Sequence, residues 1–418
     1  MTQTTGQTTH TAPQKEQHKL GKNVLSLGMV SLFTDLSSQM VYPLIPTFLA
    51  SLGVSPAILG LIEGIAESTA SLFRTVFGRL SDKLQKRKIF ILFGYGLSAI
   101  SRPFFFFASH WTTVMAIRFS DRIGKAARTP SRDALLSMSI HPSIKGKAFG
   151  YHRAMDRIGA IGGPLLAMLV LYFLRDSQSE LNALRITFLV SAIPGLIALI
   201  FLKFTDEIKP AVRQLQEKKK TAILDTAFIL FLVANAFFAL GNSSNAFLIL
   251  KAQEVKIDTF LIPVLWVVYN IVCTISSPLL GSLSDKIGRK PVISFSFIYY
   301  AVIYAFFGFA TQAWMIWALF AAYGVFYGLS NGVFRAYVAD IVEEENRGTA
   351  YGVLNTIIGI FLLPASVLMG QIWTRYNSRT AFLTAAGLGM IGFIIFLASL
   401  MLQQKQADYS PTDTAAGN

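Results

Sequence analysis

Apolar residues run through this chain in long, nearly unbroken stretches separated by short polar breaks. VISFSFIYYAVIYAFFGFA (292–310) and ITFLVSAIPGLIALIFL (186–202) are two examples. Each approaches the roughly 20 apolar residues that a helix needs to cross a bilayer. The pattern holds about twelve such runs, near 23–50, 57–79, 89–108, 111–137, 147–174, 186–204, 224–250, 259–281, 292–310, 312–339, 348–373 and 381–402. It predicts an all-α integral membrane protein with twelve transmembrane helices. Composition agrees. Of 418 residues, 53% are hydrophobic and 14% charged, against about 25% charged in a typical soluble protein, and the mean hydropathy is +0.51.

The formal charge of +14 changes the picture only through its placement. Lys and Arg gather at the N-terminus (Lys15, Lys19, Lys22) and in alternate connections: Lys83 to Lys88, then Lys145 and Lys147, then Lys209 to Lys220, then Lys286 to Lys290. The intervening connections are nearly bare. This positive-inside asymmetry places both termini in the cytoplasm, in a multi-pass bacterial-type inner membrane. The basic excess is thus topological, and no nucleic-acid partner is expected. Lipid headgroups are the expected neighbours of the basic loops. The single cysteine, Cys273, excludes an intrachain disulfide and a zinc set, and His110 and His152 are too isolated for a metal site. Residues 1–20 lack the apolar core of a signal peptide. The polar tail after 402 reads as disordered.

The sequence also repeats. GRLSDKLQKRK (78–88) returns as GSLSDKIGRKP (281–291), an offset of 203 residues. Gly146 to Gly150 and Gly348 to Gly352 repeat at 202, and Gly159 with Pro164 returns as Gly359 with Pro364 at 200. The chain therefore divides into an N-terminal tail (1–22), a six-helix bundle (23–204), a charged linker (205–223), a second six-helix bundle (224–402) and a C-terminal tail (403–418). A parallel repeat of this kind points to a secondary transporter whose substrate sits near the midplane between the halves.

These residues carry a resemblance to the major facilitator superfamily over essentially the whole length. Its signature loop reads, roughly, G-x-L-[SA]-D-[RK]-x-G-[RK]-[RK]. The copy with Gly281, Asp285, Gly288 and Arg289 matches throughout. The copy with Gly78, Asp82 and Arg87 has Gln85 at the second glycine position, which puts its tight turn in question. The resemblance implies a gating role: the glycines allow close helix approach, and the aspartates pair with a nearby arginine or an opposing helix N-terminus. Gly159, Gly163 and Pro164 resemble the superfamily's antiporter motif G-x-x-x-G-P at a helix bend, without its trailing glycines. The segments TDLSSQMVYPLIP, GLIEGIAES, DRIGKAARTPSRDALL and HRAMD are similar to a subgroup of drug-like or arabinose-type exporters. That subgroup usually carries acids where this chain has Gln39, Asn245 and Asn331, so three polar sites here are uncharged.

Charge inside the apolar runs supplies the candidate site. In RFSDRIGKAARTPSRD (118–133), Arg118, Arg122, Lys125, Thr129 and Arg132 recur at steps of 4, 3, 4 and 3, on one helical face. Asp121 and Lys125 stand one turn apart and are placed to pair. A charge facing lipid at the helix centre costs at least about 2.5–3.5 kcal/mol, so this face must point into the bundle or a wet cavity. Asp35, on the first helix where Pro43 and Pro46 predict a bend, joins it. So do Glu63 and Glu67 on the second, Arg102 on the third, and Arg153, Asp156 and Arg157 on the fifth. The C-terminal half offers amides and aromatics instead, among them Asn242, Asn245, Tyr269, Tyr327 and Asn331. The Phe run 104–107 reads as lipid-facing.

The sequence predicts a secondary transporter and not an enzyme, with no bound cofactor and a proton gradient as its energy source. No GxxxxGK[ST] loop is present to bind ATP. The expected activity is proton-linked export of a small organic solute by a functional monomer, with Asp35 or Asp121 carrying the proton. An arginine left without a carboxylate suggests an anionic solute, an organic acid or a metal chelator. Import of a nutrient or metal chelate, or a non-transporting receptor or scaffold, are the alternatives.

Overall fold

The computed structural model describes residues 20–141, 144–208, 226–330 and 332–409, with side chains to Gln403. Asn331, most of the linker and the outer parts of both tails lie outside the described residues. Within them the chain is helical, with no strands. The N-terminal half comprises α1 (Lys22–Ser51), α2 (Pro56–Leu84), α3 (Arg87–Phe107), α4 (Trp111–Met138), α5 (Lys145–Leu174) and α6 (Glu180–Leu202). The C-terminal half comprises α7 (Thr226–Glu254), α8 (Thr259–Ile287), α9 (Arg289–Phe309), α10 (Ala313–Ser330 and Val333–Ile341), α11 (Arg347–Arg375) and α12 (Ser378–Tyr409). Ten of these are long and apolar enough to span a membrane. The two that fall short are α2 and α4, the helices that carry Glu63, Arg118, Asp121, Arg122 and Arg128, all buried.

Two helices at equivalent places in the halves are broken. The first turns of Pro43 and Pro46 divide α1: an α-helix to Val41, a 3-10 turn over Tyr42–Leu44, and a short helix Ile45–Ser51. Proline has no amide proton and clashes with the preceding turn, so the helix cannot run through unchanged. In α7 the helix stops at Gly241 and resumes at Ala246, with Asn242 to Asn245 unwound. The backbone groups freed there find partners: the Ser244 amide donates to Ser366 Oγ at 3.1 Å and Tyr300 OH donates to the Gly241 carbonyl at 2.8 Å. Unwound backbone at membrane depth survives only when satisfied in this way and facing a cavity.

Small residues set the helix spacing. A Cβ on Gly159 would stand 2.7 Å from Asp35 Cβ, and one on Gly163 2.6 Å from the Leu36 carbonyl oxygen. The G-x-x-x-G of α5 is thus the seam against α1, and the helix continues through Pro164 without interruption. Between the halves, a Cβ on Gly60 would meet the Ser366 carbonyl oxygen at 2.2 Å, and one on Gly370 the Pro56 carbonyl at 2.4 Å. Ser68 Oγ donates to the Gly359 carbonyl at 2.9 Å.

These contacts lie on the side away from the termini. On the terminal side, Gly146, Gly150, Gly281, Gly348 and Gly352 have open space where a Cβ would be. Among the described residues the polar contacts between the halves lie at mid-depth and on the far side, and none of these terminal-side glycines has a neighbour where its Cβ would be. Three expectations change. Gly281 makes no close approach here. Phe105 is buried against Phe188, ring centroids 5.1 Å apart, while Phe104 and Phe107 are exposed. The polar C-terminal segment continues α12 to Tyr409 where disorder was expected.

Candidate functional site

A cavity of about 290 Å³ lies between the halves, beside both broken helices. Asp35, Glu67, Arg102, Arg118, Asp121, Arg122, Lys125 and Arg128 line it from the N-terminal half. Asn242 to Asn245, Trp266 and Tyr327 face them from the other half. Most of the residues singled out from sequence converge here because α4 turns its charged stripe inward. Glu63 stands one layer behind, almost fully buried.

Three of the four cavity arginines are each matched to a carboxylate. Arg118 grips Glu63 with Nε to Oε1 at 2.9 Å and Nη2 to Oε2 at 2.7 Å, the bidentate geometry suited to guanidinium and carboxylate. Arg122 Nη2 lies 2.8 Å from Glu67 Oε1, and Arg102 Nη2 3.0 Å from Asp121 Oδ1. Arg102 also donates to Ser37 Oγ at 2.8 Å. Below Arg118 and Arg122 lies the ring of Tyr42, its centroid 5.4 and 5.7 Å from their guanidinium carbons. Arg128 donates to Ser98 Oγ at 2.6 Å and lies over the Tyr95 ring at 4.8 Å.

Two expectations are corrected by this arrangement. Asp121 pairs with Arg102 across to α3 and not with Lys125 along its own helix, because α3 and α4 close together at Gly94 and Gly124. The expected guanidinium without a carboxylate is none of Arg102, Arg118 and Arg122; among the described residues it is Arg128 in the cavity, with Arg153 and Arg157 outside it. The charges left over in the cavity are Asp35, Lys125 and Arg128, which form no ion pair among the described residues; Arg128 is held by Ser98 and the Tyr95 ring, which leaves Asp35 and Lys125 as the freer two.

Contacts across the halves seal the far side of the cavity. Trp266 Nε1 donates to Gln39 Oε1 at 2.9 Å, and Trp266 packs on Tyr42 with centroids 5.3 Å apart. Ser244 Oγ donates to Glu63 Oε2 at 3.2 Å. Asn245 Oδ1 accepts from Tyr323 OH at 2.7 Å, so this amide is committed to its own half. Asn331 lies outside the described residues.

The trio on α5 does not act together. Asp156 accepts from Ser31 and stands 3.4 Å from His152 Nδ1; Arg157 reaches across to Cys273 Sγ at 4.0 Å; Arg153 is exposed. None of the three lines the cavity.

Both signature loops keep their aspartate pairing. Arg87 Nη2 donates to Asp82 Oδ1 at 2.9 Å. Arg289 Nη2 donates to Asp285 Oδ1 at 3.3 Å, and Arg289 also pairs with Asp340 of α10. The first loop makes its turn despite Gln85, which adopts the left-handed conformation at φ 51° that a glycine would take without strain. Gly78 packs on Pro130, where a Cβ would lie 3.4 Å away.

Sequence reasoning missed Tyr42, Trp266, Ser244 and the buried Lys251, which pairs with Glu254 at 2.9 Å. The available signal was the run GNSSN (241–245) in α7, a polar interruption at the place where Tyr42-Pro43 interrupts α1. Paired interruptions in corresponding helices mark the binding site of repeat transporters.

Comparison with known proteins follows the same lines. The Major Facilitator Superfamily profile matches residues 27–250 and 229–416. An uncharacterised MFS-type transporter of Methanocaldococcus jannaschii is 34% identical over 391 residues, 92% of this chain and 96% of that protein. The class H tetracycline resistance protein of Pasteurella multocida is 30% identical over 159 residues, 37% of this chain and 39% of that one. Among solved structures, a POT family transporter in complex with 5-aminolevulinic acid superposes with a TM-score of 0.76 at 10% identity, covering 94% of this chain and 98% of that one.

Proposed function

The chain belongs to the major facilitator superfamily, and from that premise we propose that it is a proton-linked exporter of a small organic solute carrying an anionic group. The observation that carries this reading is the central cavity, set between repeat-equivalent broken helices, with Asp35, Lys125 and Arg128 outside its ion pairs and Arg128 tied to Ser98. Five basic side chains line it against three acids, and Glu63 behind Arg118 brings the acids to four. One positive charge is left over. An anionic group on the solute would neutralise it, with Lys125 as the anchor in place of Arg118.

Asp35 is the proposed proton carrier. A solute that places a hydrogen-bond donor on Asp35 and its anion on Lys125 competes with the proton for Asp35, which gives exchange. The partial match to a tetracycline resistance protein supports export, since resistance by transport means removal of the compound. The same two charges favour a second reading. A solute without a donor binds better when Asp35 is protonated, so proton and anion travel together, which gives uptake.

The alternate-loop distribution of Lys and Arg supports a cytoplasmic terminal side. On that reading this conformation faces inward, in an inner-membrane monomer whose basic loops meet lipid headgroups. The test is a counterflow screen of organic acids, chelates and organic cations in proteoliposomes, with binding of each hit measured against pH. Binding that weakens as protons are added supports exchange, and binding that strengthens supports uptake. A purely cationic substrate sinks the anionic reading.

A further inference from the structure

Beside the central cavity lies a second one of about 200 Å³, entirely within the C-terminal half. The two share Asn242, Tyr327 and Leu362 in their linings, so they are adjoining rooms. Their chemistry differs sharply. The central room is walled on one side by charge, whereas the annex is mostly apolar, with Phe238, Phe326, Phe334, Leu354 and Ile358 in its wall and Arg335 as its one charged side chain. At the junction, Asn242 Oδ1 is buried without a hydrogen-bond partner among the described residues.

Volume bears on what these rooms hold. Sites for drug-sized molecules span about 300–1,000 Å³. The central room, at about 290 Å³, falls at the lower edge alone. With the annex, the combined space comes inside that range. Packed interiors leave few voids larger than a water molecule, and apolar cavities of this kind take up apolar ligands.

We propose that the annex receives the apolar body of the transported solute, so that the substrate is an amphipathic acid held head-first at Lys125 with its ring or chain among Phe238, Phe326, Phe334 and Ile358. This inference rests on the anion-binding reading of the central cavity. It extends that reading by assigning a second subsite and a substrate shape. Asn242 at the junction accepts a hydrogen bond from a polar group between head and body.

The test uses the full-length protein and the straight-chain acids butyrate, hexanoate and octanoate, with hexanol and octanol as headless controls, binding being measured calorimetrically in one detergent. Each methylene that enters an apolar site is expected to tighten binding by about threefold to fourfold. Ile358→Trp fills the annex and should flatten that series, octanoate losing the most affinity and butyrate the least. Ile358→Phe, a milder filling, should flatten it in part and guards against a misfolded Trp variant. Lys125→Met should weaken all three acids by the same factor. Equal slopes in the wild type and both Ile358 variants, with butyrate still bound, overturn the annex alone. Octanol that binds as tightly as octanoate and ignores Lys125→Met marks the annex as a site for a bilayer chain, which also overturns the proposal. Failure of every acid to bind the wild type overturns the annex and the anion-binding reading together.

Discussion

Arg118 and Glu63 meet across α4 and α2 through two parallel hydrogen bonds of 2.9 and 2.7 Å, and Ser244 of the opposite half donates to the same carboxylate at 3.2 Å. Both side chains are almost fully removed from solvent. Removing one partner of such a pair leaves an uncompensated buried charge, a loss of about 3–5 kcal/mol. Glu67 stands 3.9 Å from Arg118 but is already held by Arg122. Glu63→Gln should therefore lower the thermal stability of the purified protein sharply. Adding Arg118→Met should restore much of it, because two neutral side chains leave no stranded charge. A melting profile of Glu63→Gln that matches the wild type refutes this assignment.

Asp35 and Asp121 differ in what holds them. Asp121 is fixed to Arg102 at 3.0 Å, so it is committed to the frame of the N-terminal half. Asp35 faces the cavity and makes no ion pair among the described residues. A coupling carboxylate must exchange its proton without breaking its own scaffold, which favours Asp35. Asp35→Asn should abolish gradient-driven accumulation while sparing solute exchange at zero gradient. Asp121→Asn should instead lower stability, since it strands Arg102. Full accumulation by Asp35→Asn refutes the coupling role.

Much of this site is legible in the sequence because lipid is an unforgiving solvent. A stripe such as Arg118, Arg122 and Lys125 cannot face hydrocarbon, so its inward direction follows from spacing alone. Which acid pairs with which arginine is not legible. Asp121 is one turn from Lys125 in sequence, yet it meets Arg102 because α3 and α4 close together where Gly94 and Gly124 remove the side chains between them. Arg153 has the right composition for the site but the wrong face. The far-side seal escaped notice for another reason: Trp266 and Tyr42 look like ordinary apolar bulk until the break in α1 sets Tyr42 against Trp266 of α8.

The far-side closure depends on missing side chains. Gly60 of α2 stands so close to Ser366 of α11 that a Cβ would meet a backbone carbonyl oxygen at 2.2 Å. No rotamer change relieves a backbone clash. Gly60→Ala, and more strongly Gly60→Leu, should push the halves apart on the far side and favour the opposite conformation. The native Cys273 is the chain's single cysteine, so a Cys273→Ser background leaves one reporter, a cysteine at Gln39 in the cavity wall. Its reaction with an impermeant thiol reagent should rise several-fold from the far side and fall from the terminal side. Unaltered labelling from both sides would show that the α2–α11 seam does not set the equilibrium.

The signature loop of the second half gives the converse test. Asp285 is two-thirds exposed and shares Arg289 with Asp340, both within one half. Half-exposed ion pairs contribute only about 0.2–1 kcal/mol, so in this conformation the loop adds little stability. Its effect belongs to the conformation in which the terminal side closes. Closing that side would bring the end of α8 toward the N-terminus of α5, the helix packed against α8, whose first amides have no intrahelical acceptor. A carboxylate at that place is attracted to the positive end of the helix by about 0.3–1 kcal/mol or more as water leaves. Asp285→Asn removes an interaction that only the closed state makes, so it should deepen the population of the present conformation. Labelling of the Gln39 reporter from the far side should fall and transport should slow, while solute binding and the melting profile stay near wild type. Unchanged labelling on both faces, or a loss of solute binding, would refute a gating role for Asp285.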